Sequence, residues 1–299
     1  MKRPIHFHDS LGFSLVELMV ATAIGLLLLF GLGTIYVNNK QLYTMVEQRG
    51  RMQENLRFSM DMVTSDLRLA NYKGCRHDAS LPDDAISGID GTDETPDEMT
   101  VRSIGTAVLA TYSNSSAGGK KFEAVGPHDL KAGDIAIIQN CNAMEAVQVA
   151  SIEEDSPSSG TDTITLTSAP TDPAPLVDGT LHRYITKRYH VVGNALALNG
   201  EMLIGDGQND RVENMQILYG QDTNSDAVAE SYLAAGAVTN WDQVISVKIA
   251  LLLATKEFGS DMDSNTYPML DQVINPVDDR RKRNVTVSTI QLRNKLSTF

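Results

Sequence analysis

Residues 13–37 read FSLVELMVATAIGLLLLFGLGTIYV, and this run restricts the chain more than any other stretch. Its only charged residue is Glu17, near its start. About 20 apolar residues in a helix cross a bilayer's hydrocarbon core, so the run is long enough to span. It exceeds the roughly 7–15 apolar residues of a secretory signal's core, and no small-x-small cleavage site follows it. A plain membrane anchor leaves Glu17 unexplained. An ionisable group in a spanning segment costs roughly 2.5–3.5 kcal/mol at mid-membrane, less near the interface, and is usually there for a partner.

The string Gly12-Phe13-Ser14-Leu15-Val16-Glu17 resembles the class III signal of type IV prepilins and type II secretion pseudopilins. The resemblance implies that a membrane prepilin peptidase cuts between Gly12 and Phe13, removing residues 1–12 as a leader. The same enzyme then N-methylates Phe13. Glu17 becomes the fifth residue of the mature chain and acts in assembly: its carboxylate neutralises the Phe13 ammonium of a neighbouring subunit. Such a pair adds little stability over an apolar substitute, but leaving one of its charges alone is costly, so it sets register. Gly12, with no Cβ, suits the backbone's entry into a tight protease site.

The whole chain has 299 residues, enough for one or two folded domains, and a formal net charge of −13. The leader carries Lys2, Arg3 and Asp9, so its removal takes the chain to about −14. So acidic a surface argues against general nucleic-acid binding, which draws its affinity from phosphate neutralisation. Basic residues do not orient the segment. Lys40, Arg49, Arg51 and Arg57 after it outnumber Lys2 and Arg3 before it, and a simple positive-inside count would put the head on the wrong side for a pilin, although large domains cross regardless of charge. The orientation expected here rests on the prepilin resemblance.

Beyond Val37, Leu42, Met45, Val46, Met52, Leu56, Met60, Val63, Leu67 and Ala70 recur at three- and four-residue steps, the mark of an amphipathic helix. No proline interrupts residues 13–71, so one helix of roughly 90 Å is expected. Gly25, Gly31 and Gly33 are a soft spot within it, open to close helix packing or to local melting. Asn71-Tyr72-Lys73-Gly74 is the expected helix stop, with Gly74 the candidate C-cap. Residues 75–97 read as a polar, turn-rich connection. Strand-like runs follow at 99–104, 107–112, 134–139, 146–152, 163–167, 181–192, 195–199, 201–204, 212–219, 244–254 and 285–292. The run 244–254 is nearly all apolar, as for a central strand. The fold class expected is α+β, a long N-terminal helix (residues 13–71) packed on an antiparallel β-rich globular head (residues 72–299).

The C-terminal half carries a second resemblance. Residues 211–219 followed by Gly220-Gln221-Asp222, then Trp241, the run 244–253 and residues 285–294 resemble PilW-type minor pilins, a family that also resembles the J group of pseudopilins. Residues 78–178 match only in general character. The family implies a low-abundance subunit at a pilus tip or in an initiating complex, which supports pilus assembly, twitching motility and adhesion. It implies as partners other minor and major pilins, the prepilin peptidase, the inner-membrane assembly platform and a tip adhesin. It also implies a single-pass inner-membrane protein with a periplasmic head, moved to the pilus or cell surface on assembly. Two alternatives remain: a minor pseudopilin of a type II secretion system, and a membrane-anchored periplasmic binding protein.

Cys75 and Cys141 are the only cysteines. With the head exported to an oxidising compartment, they are expected to form a disulfide, the alternative being two free buried thiols. Asp222-Thr223-Asn224-Ser225-Asp226, with Glu230 beyond, resembles the opening of a calcium loop, giving Asp222, Asn224 and Asp226 as candidate Ca²⁺ ligands. Ala227 stands where such loops carry glycine and Leu233 where they carry glutamate, so the motif is incomplete and a polar acidic turn is the competing reading. Arg280-Arg281-Lys282-Arg283 reads as a solvated loop before the last strand. No HExxH, CxxC, phosphate-loop or GxSxG motif is present, so no enzyme is expected. His128, His182 and His190 are expected to be structural or exposed, and Trp241 a core or rim anchor.

Overall fold

The structure is a computed structural model describing residues 14–75, 79–92, 94–111, 120–125, 128, 130–154, 161–171, 179–205, 210–258 and 261–296. The chain divides after Arg51 into two compact units. Helix α1 (Leu15–Leu69) contributes residues 15–51 to the first and residues 52–69 to the second.

In the first unit the helix passes through Gly25, Gly31 and Gly33 without a break. Its large apolar side chains stay open on all sides, from Leu18 and Leu27 to Phe30 and Tyr36. Its hydroxyls turn inward. Thr22 Oγ1 donates to the Leu18 and Met19 carbonyls at 2.9 Å, and Thr34 Oγ1 donates to the Gly31 carbonyl at 2.8 Å. A helix whose hydroxyl protons are bonded to its own carbonyls exposes little unsatisfied polarity to lipid.

In the second unit the expected stripe is buried from Met52 onward: Met52, Leu56, Val63, Leu67 and Ala70 enter the main core. Leu42 and Val46, earlier in the stripe, are exposed. The helix stops where expected, at the start of the Asn71–Gly74 stretch, with Asn71 at φ +62° ahead of the candidate cap Gly74. Its last carbonyls are capped from far along the chain. The Asn294 side-chain amide donates to the Arg68 and Ala70 carbonyls at 3.0 and 3.1 Å, and the Asn71 amide donates back to the Asn294 carbonyl at 3.2 Å. A cap drawn from a distant residue satisfies carbonyls that the local sequence leaves orphaned.

Among the described residues, two large sheets and a two-stranded one complete the head. In the first, β11 (Arg211–Gln221), β12 (Ser231–Leu233), β13 (Val244–Ala254) and β16 (Arg283–Gln291) lie in the order β12-β11-β13-β16, all antiparallel. β13 is central, as its apolar run required. One face, with Val247, Ile249 and Leu251, packs in the core that holds α1. The other, with Ala250 and Leu252, is covered by Met269 and Ile274 from the hairpin β14 (Tyr267–Met269) and β15 (Gln272–Ile274). Burial on both faces accounts for a strand without alternation. Lys248, its one partly exposed residue, places its ammonium 3.7 Å from the centre of the Tyr232 ring.

The second sheet starts at β1 (Ile86–Ile89), β2 (Glu98–Ile104) and β8 (Thr180–Val192), with β9 (Ala195–Leu198) and β10 (Glu201–Ile204) hairpinned onto β8. β8 is long enough to serve two assemblies. Residues 184–189 pair with β2, whereas residues 180–181 pair with β3 (Ala110–Thr111) and residues 180–183 with β5 (Ile135–Gln139) on the other side. β3 continues to β4 (Lys121–Val125), β7 (Thr161–Leu166), β6 (Met144–Glu154) and back to β5. The ring closes into a small barrel with a separate core around Phe122, Ile138, Val149, Ile164 and Leu181. Closure removes the free edges that short strands would otherwise expose. Of the strand expected at 107–112, the described residues 107–111 carry only β3, residue 112 lying outside them, and β1, β4, β12, β14 and β15 were not anticipated. They are short, and their pairing comes from distant partners.

Candidate functional site

The candidate functional face is the exposed apolar part of α1. Glu17 lies in the first turn of the helix, exposed, where a carboxylate complements the unsatisfied N–H groups of a helix start. Gly12 and Phe13, the expected cleavage and methylation positions, lie outside the described residues. Residues 15–37 meet the length and composition needed to cross a membrane, and none of the most apolar stretch is buried within the chain.

The second half of the helix is held by chemistry as well as packing. Asp66, buried on α1, accepts from Lys187 Nζ at 2.7 Å and from the Tyr189 hydroxyl. Both partners lie on β8. Burial, reinforced by the hydrogen bond to Asp66, pushes the Tyr189 phenol well above its ordinary range. Nearby, Asp97 is nearly inaccessible and accepts from the Gly91 and Ile217 backbone at 2.8 and 2.7 Å. Burial raises its carboxyl to about 6, with Asp90 and Asp271 adding to the rise.

Cys75 and Cys141 are both exposed free thiols in this structure. They lie within hydrogen-bonding reach of each other, and that bond, with burial, pushes the Cys75 thiol up. The expected pair is therefore brought together, with the covalent bond not made.

The expected calcium loop folds as a self-bonded turn. Asp222 is buried and accepts from the Ser225 and Ala227 backbone at 2.6 and 2.8 Å. Asn224 accepts from Asp226 N at 2.9 Å, Asp226 from Val228 N at 2.9 Å, and Glu230 from Thr223 N at 2.8 Å. Ala227 takes φ +65°, the left-handed conformation that favours glycine. One carboxylate oxygen from each of Asp222, Asp226 and Glu230 falls within 4.8 Å of the others. A calcium titration followed by thermal melting separates the readings: a higher melting temperature at millimolar calcium assigns a cation, and no change leaves an acidic turn.

The basic cluster is not a solvated loop. Arg283, with a side chain 1% exposed, bonds Glu213 at 2.6 Å and Asp279 at 3.0 Å, with Asp263 at 3.5 Å. Arg281 is also buried and donates to the Thr255 carbonyl at 2.7 Å. Arg280 and Lys282 alone fit the expectation of exposure or partial exposure. Acids far apart in sequence converge on the guanidinium, which a local charge count does not register. Burial by itself raises the Asp263 carboxyl, but hydrogen bonds from Tyr267 and Asn265 and the Arg283 charge outweigh it and leave the carboxyl below its ordinary value.

His182 is a structural residue, as expected: its ring nitrogens bond Thr180 Oγ1 at 2.7 Å and the Gly105 carbonyl at 3.0 Å. Trp241 meets Tyr219 edge-on, ring centres 4.8 Å apart, at the rim of the main core. Tyr219 is met from the other side by β1, where a Cβ on Gly88 would sit 2.2 Å from its hydroxyl, so only glycine admits the ring there.

Residues 8–33 match the model of the prokaryotic N-terminal methylation motif. Residues 180–294 match the model of type IV pilus-assembly protein W. Comparison with curated proteins gives no match. Among solved structures, a type IV-like pilin from Thermus thermophilus is similar at 10% identity and a TM-score of 0.41, over 82% of this chain and 97% of that one. The chain thus joins an N-terminal methylation motif to a long helix with an exposed apolar half and an antiparallel β-rich head. More narrowly, it is the C-terminal part, residues 180–294, that is similar to the PilW family of type IV pilus proteins. The PilW match begins at β8 and ends at the Asn294 cap, so the barrel strands before β8 fall outside it.

Proposed function

We propose that this protein is a minor pilin that enters a type IV pilus, or the complex that starts one, after cleavage between Gly12 and Phe13 and N-methylation of Phe13. Before assembly its helix spans the inner membrane with the head in the periplasm. On assembly it leaves the bilayer for a filament core of like helices, with Glu17 answering the Phe13 ammonium of a neighbour. Its partners are other minor and major pilins, the prepilin peptidase and the assembly platform. Its contribution is to pilus assembly, and through it to twitching motility and adhesion.

The observation that carries this reading is the pairing of a methylation motif with a helix whose apolar side chains are unburied on every side. Such a surface is stable only in lipid or against other helices of the same kind. Amino-terminal sequencing of the mature protein is the direct test. The reading requires N-methylphenylalanine first, and a chain starting elsewhere overturns it. In a peptidase-null strain the protein runs slightly heavier. Glu17→Ala is expected to be cleaved normally yet to be depleted from sheared pili; equal recovery removes Glu17 from assembly. Deletion is expected to impair twitching, whereas loss of enzyme secretion with twitching intact transfers the protein to a type II secretion system.

A further inference from the structure

We propose that Cys75 and Cys141 close an intrachain disulfide that staples the inserted barrel to the segment leaving α1. The two thiols are exposed and reach each other. They sit at a seam already built by packing. Tyr72 and Leu81, from the connection after α1, lie against Ile104, Ile137 and Tyr184 of β2, β5 and β8. Gly74 presses so closely on the end of β5 that a Cβ there would stand 2.3 Å from Gln139 Nε2.

The turn that presents Cys141 is itself held. Asn140 Oδ1 accepts from Asn142 N at 2.9 Å and Ala143 N at 2.8 Å, and Asn140 N donates to the Ala143 carbonyl at 2.9 Å. On the other side, Asn71 N donates to the Arg102 carbonyl at 3.0 Å and Ile104 N to the Tyr72 carbonyl at 2.9 Å. Both thiols therefore ride on backbone that is already positioned, so bond closure costs little rearrangement.

The bond converts two thiols to one S–S link. The two protons and the two electrons pass to a disulfide oxidant, whose S–S bond breaks to give two thiols. In the cell that oxidant is periplasmic, and in this respect the staple rests on the exported head proposed above. Its mechanical effect is specific. The barrel strands joined to the head through β8 gain a second covalent tie, directly to the end of the helix.

The test uses the full chain, purified reduced in detergent and then incubated with oxidised glutathione. The expected product is a monomer lighter by two hydrogens, with one linked peptide holding Cys75 and Cys141. It melts above the reduced protein by roughly 10 °C, as a loop of this length implies. Cys75→Ser, left with Cys141 alone, is expected to retain a mixed glutathione disulfide. Mixed disulfides persisting on the wild-type chain, chain-to-chain dimers, or equal melting of the oxidised and reduced forms would each overturn the staple. None of these readouts depends on export. A mature chain that still begins at Met1 counts against the pilin reading and leaves the staple standing.

Discussion

The two halves of α1 are built from similar side chains and meet opposite fates. In residues 15–37 leucine, isoleucine, valine and phenylalanine surround the axis, and Leu27 and Phe30 are 72% and 73% exposed. In residues 52–69 the apolar positions narrow to one stripe, with Arg57 and Asp61 outside it, and Val63 and Leu67 have no exposure. A stripe fits a single partner surface, which here is the head. A helix apolar all round fits none, and needs an apolar solvent or a set of like helices. The contrast separates the part of the helix that folds the protein from the part that uses it.

The sharpest way to break this contrast is to place the same charge in both halves. Leu67→Asp leaves an uncompensated carboxylate in the main core and is expected to cost the head about 3–5 kcal/mol in a denaturant melt. Leu28→Asp is expected to leave that melt within about 0.5 kcal/mol while reducing recovery in the membrane fraction. Equal melts would mean that the halves are not distinct.

Acidity provides the next largest effect. The Asp97 carboxyl, raised to about 6 by burial, ionises at a cost to the folded state, since its unfolded value lies near 3.9. That cost is absent below pH 4, grows as pH rises through 6 and is complete above it. Lowering the pH from 7 towards 5 should therefore stabilise the head through this group, by up to about 3 kcal/mol over the full window. Asp97→Asn should flatten the slope. Hydrogen exchange in residues 52–69 should follow the pH change, and residues 15–51 should not.

Removing Asp66 tests the polar tie. Asp66→Ala leaves the buried Tyr189 hydroxyl without its acceptor and is expected to cost about 1–3 kcal/mol. Lys187→Ala should cost less, because that side chain is 34% exposed. The smallest effect belongs to the first half. A Cβ at Gly25 meets nothing within 4 Å, so Gly25→Ala should raise helicity in detergent, by about 1 kcal/mol of propensity, with head melting unchanged.

What could be read in advance follows from how local each cause is. The helix, its apolar half and its stripe were legible because periodicity along one segment dictates them. β13 announced a central position because a strand covered on both faces carries no polar alternation. The methylation motif was legible for the same reason, being six adjacent residues. The site was less so. Asp66 sits in the helical pattern as one more polar residue, and only Lys187 and Tyr189 arriving from β8 give it a role.

By itself, then, the sequence determined that this chain has a long helix with a lipid-compatible beginning, a β-rich head and an N-terminal methylation motif. Only the tertiary structure decided that the middle strands close into a barrel, that Arg283 is buried among three acids, that Asn294 caps α1 and that Cys75 meets Cys141. The physical reason is common to all four. Each joins residues whose mutual distance is set by strand pairing and core packing, and neither composition nor spacing along the chain contains that distance.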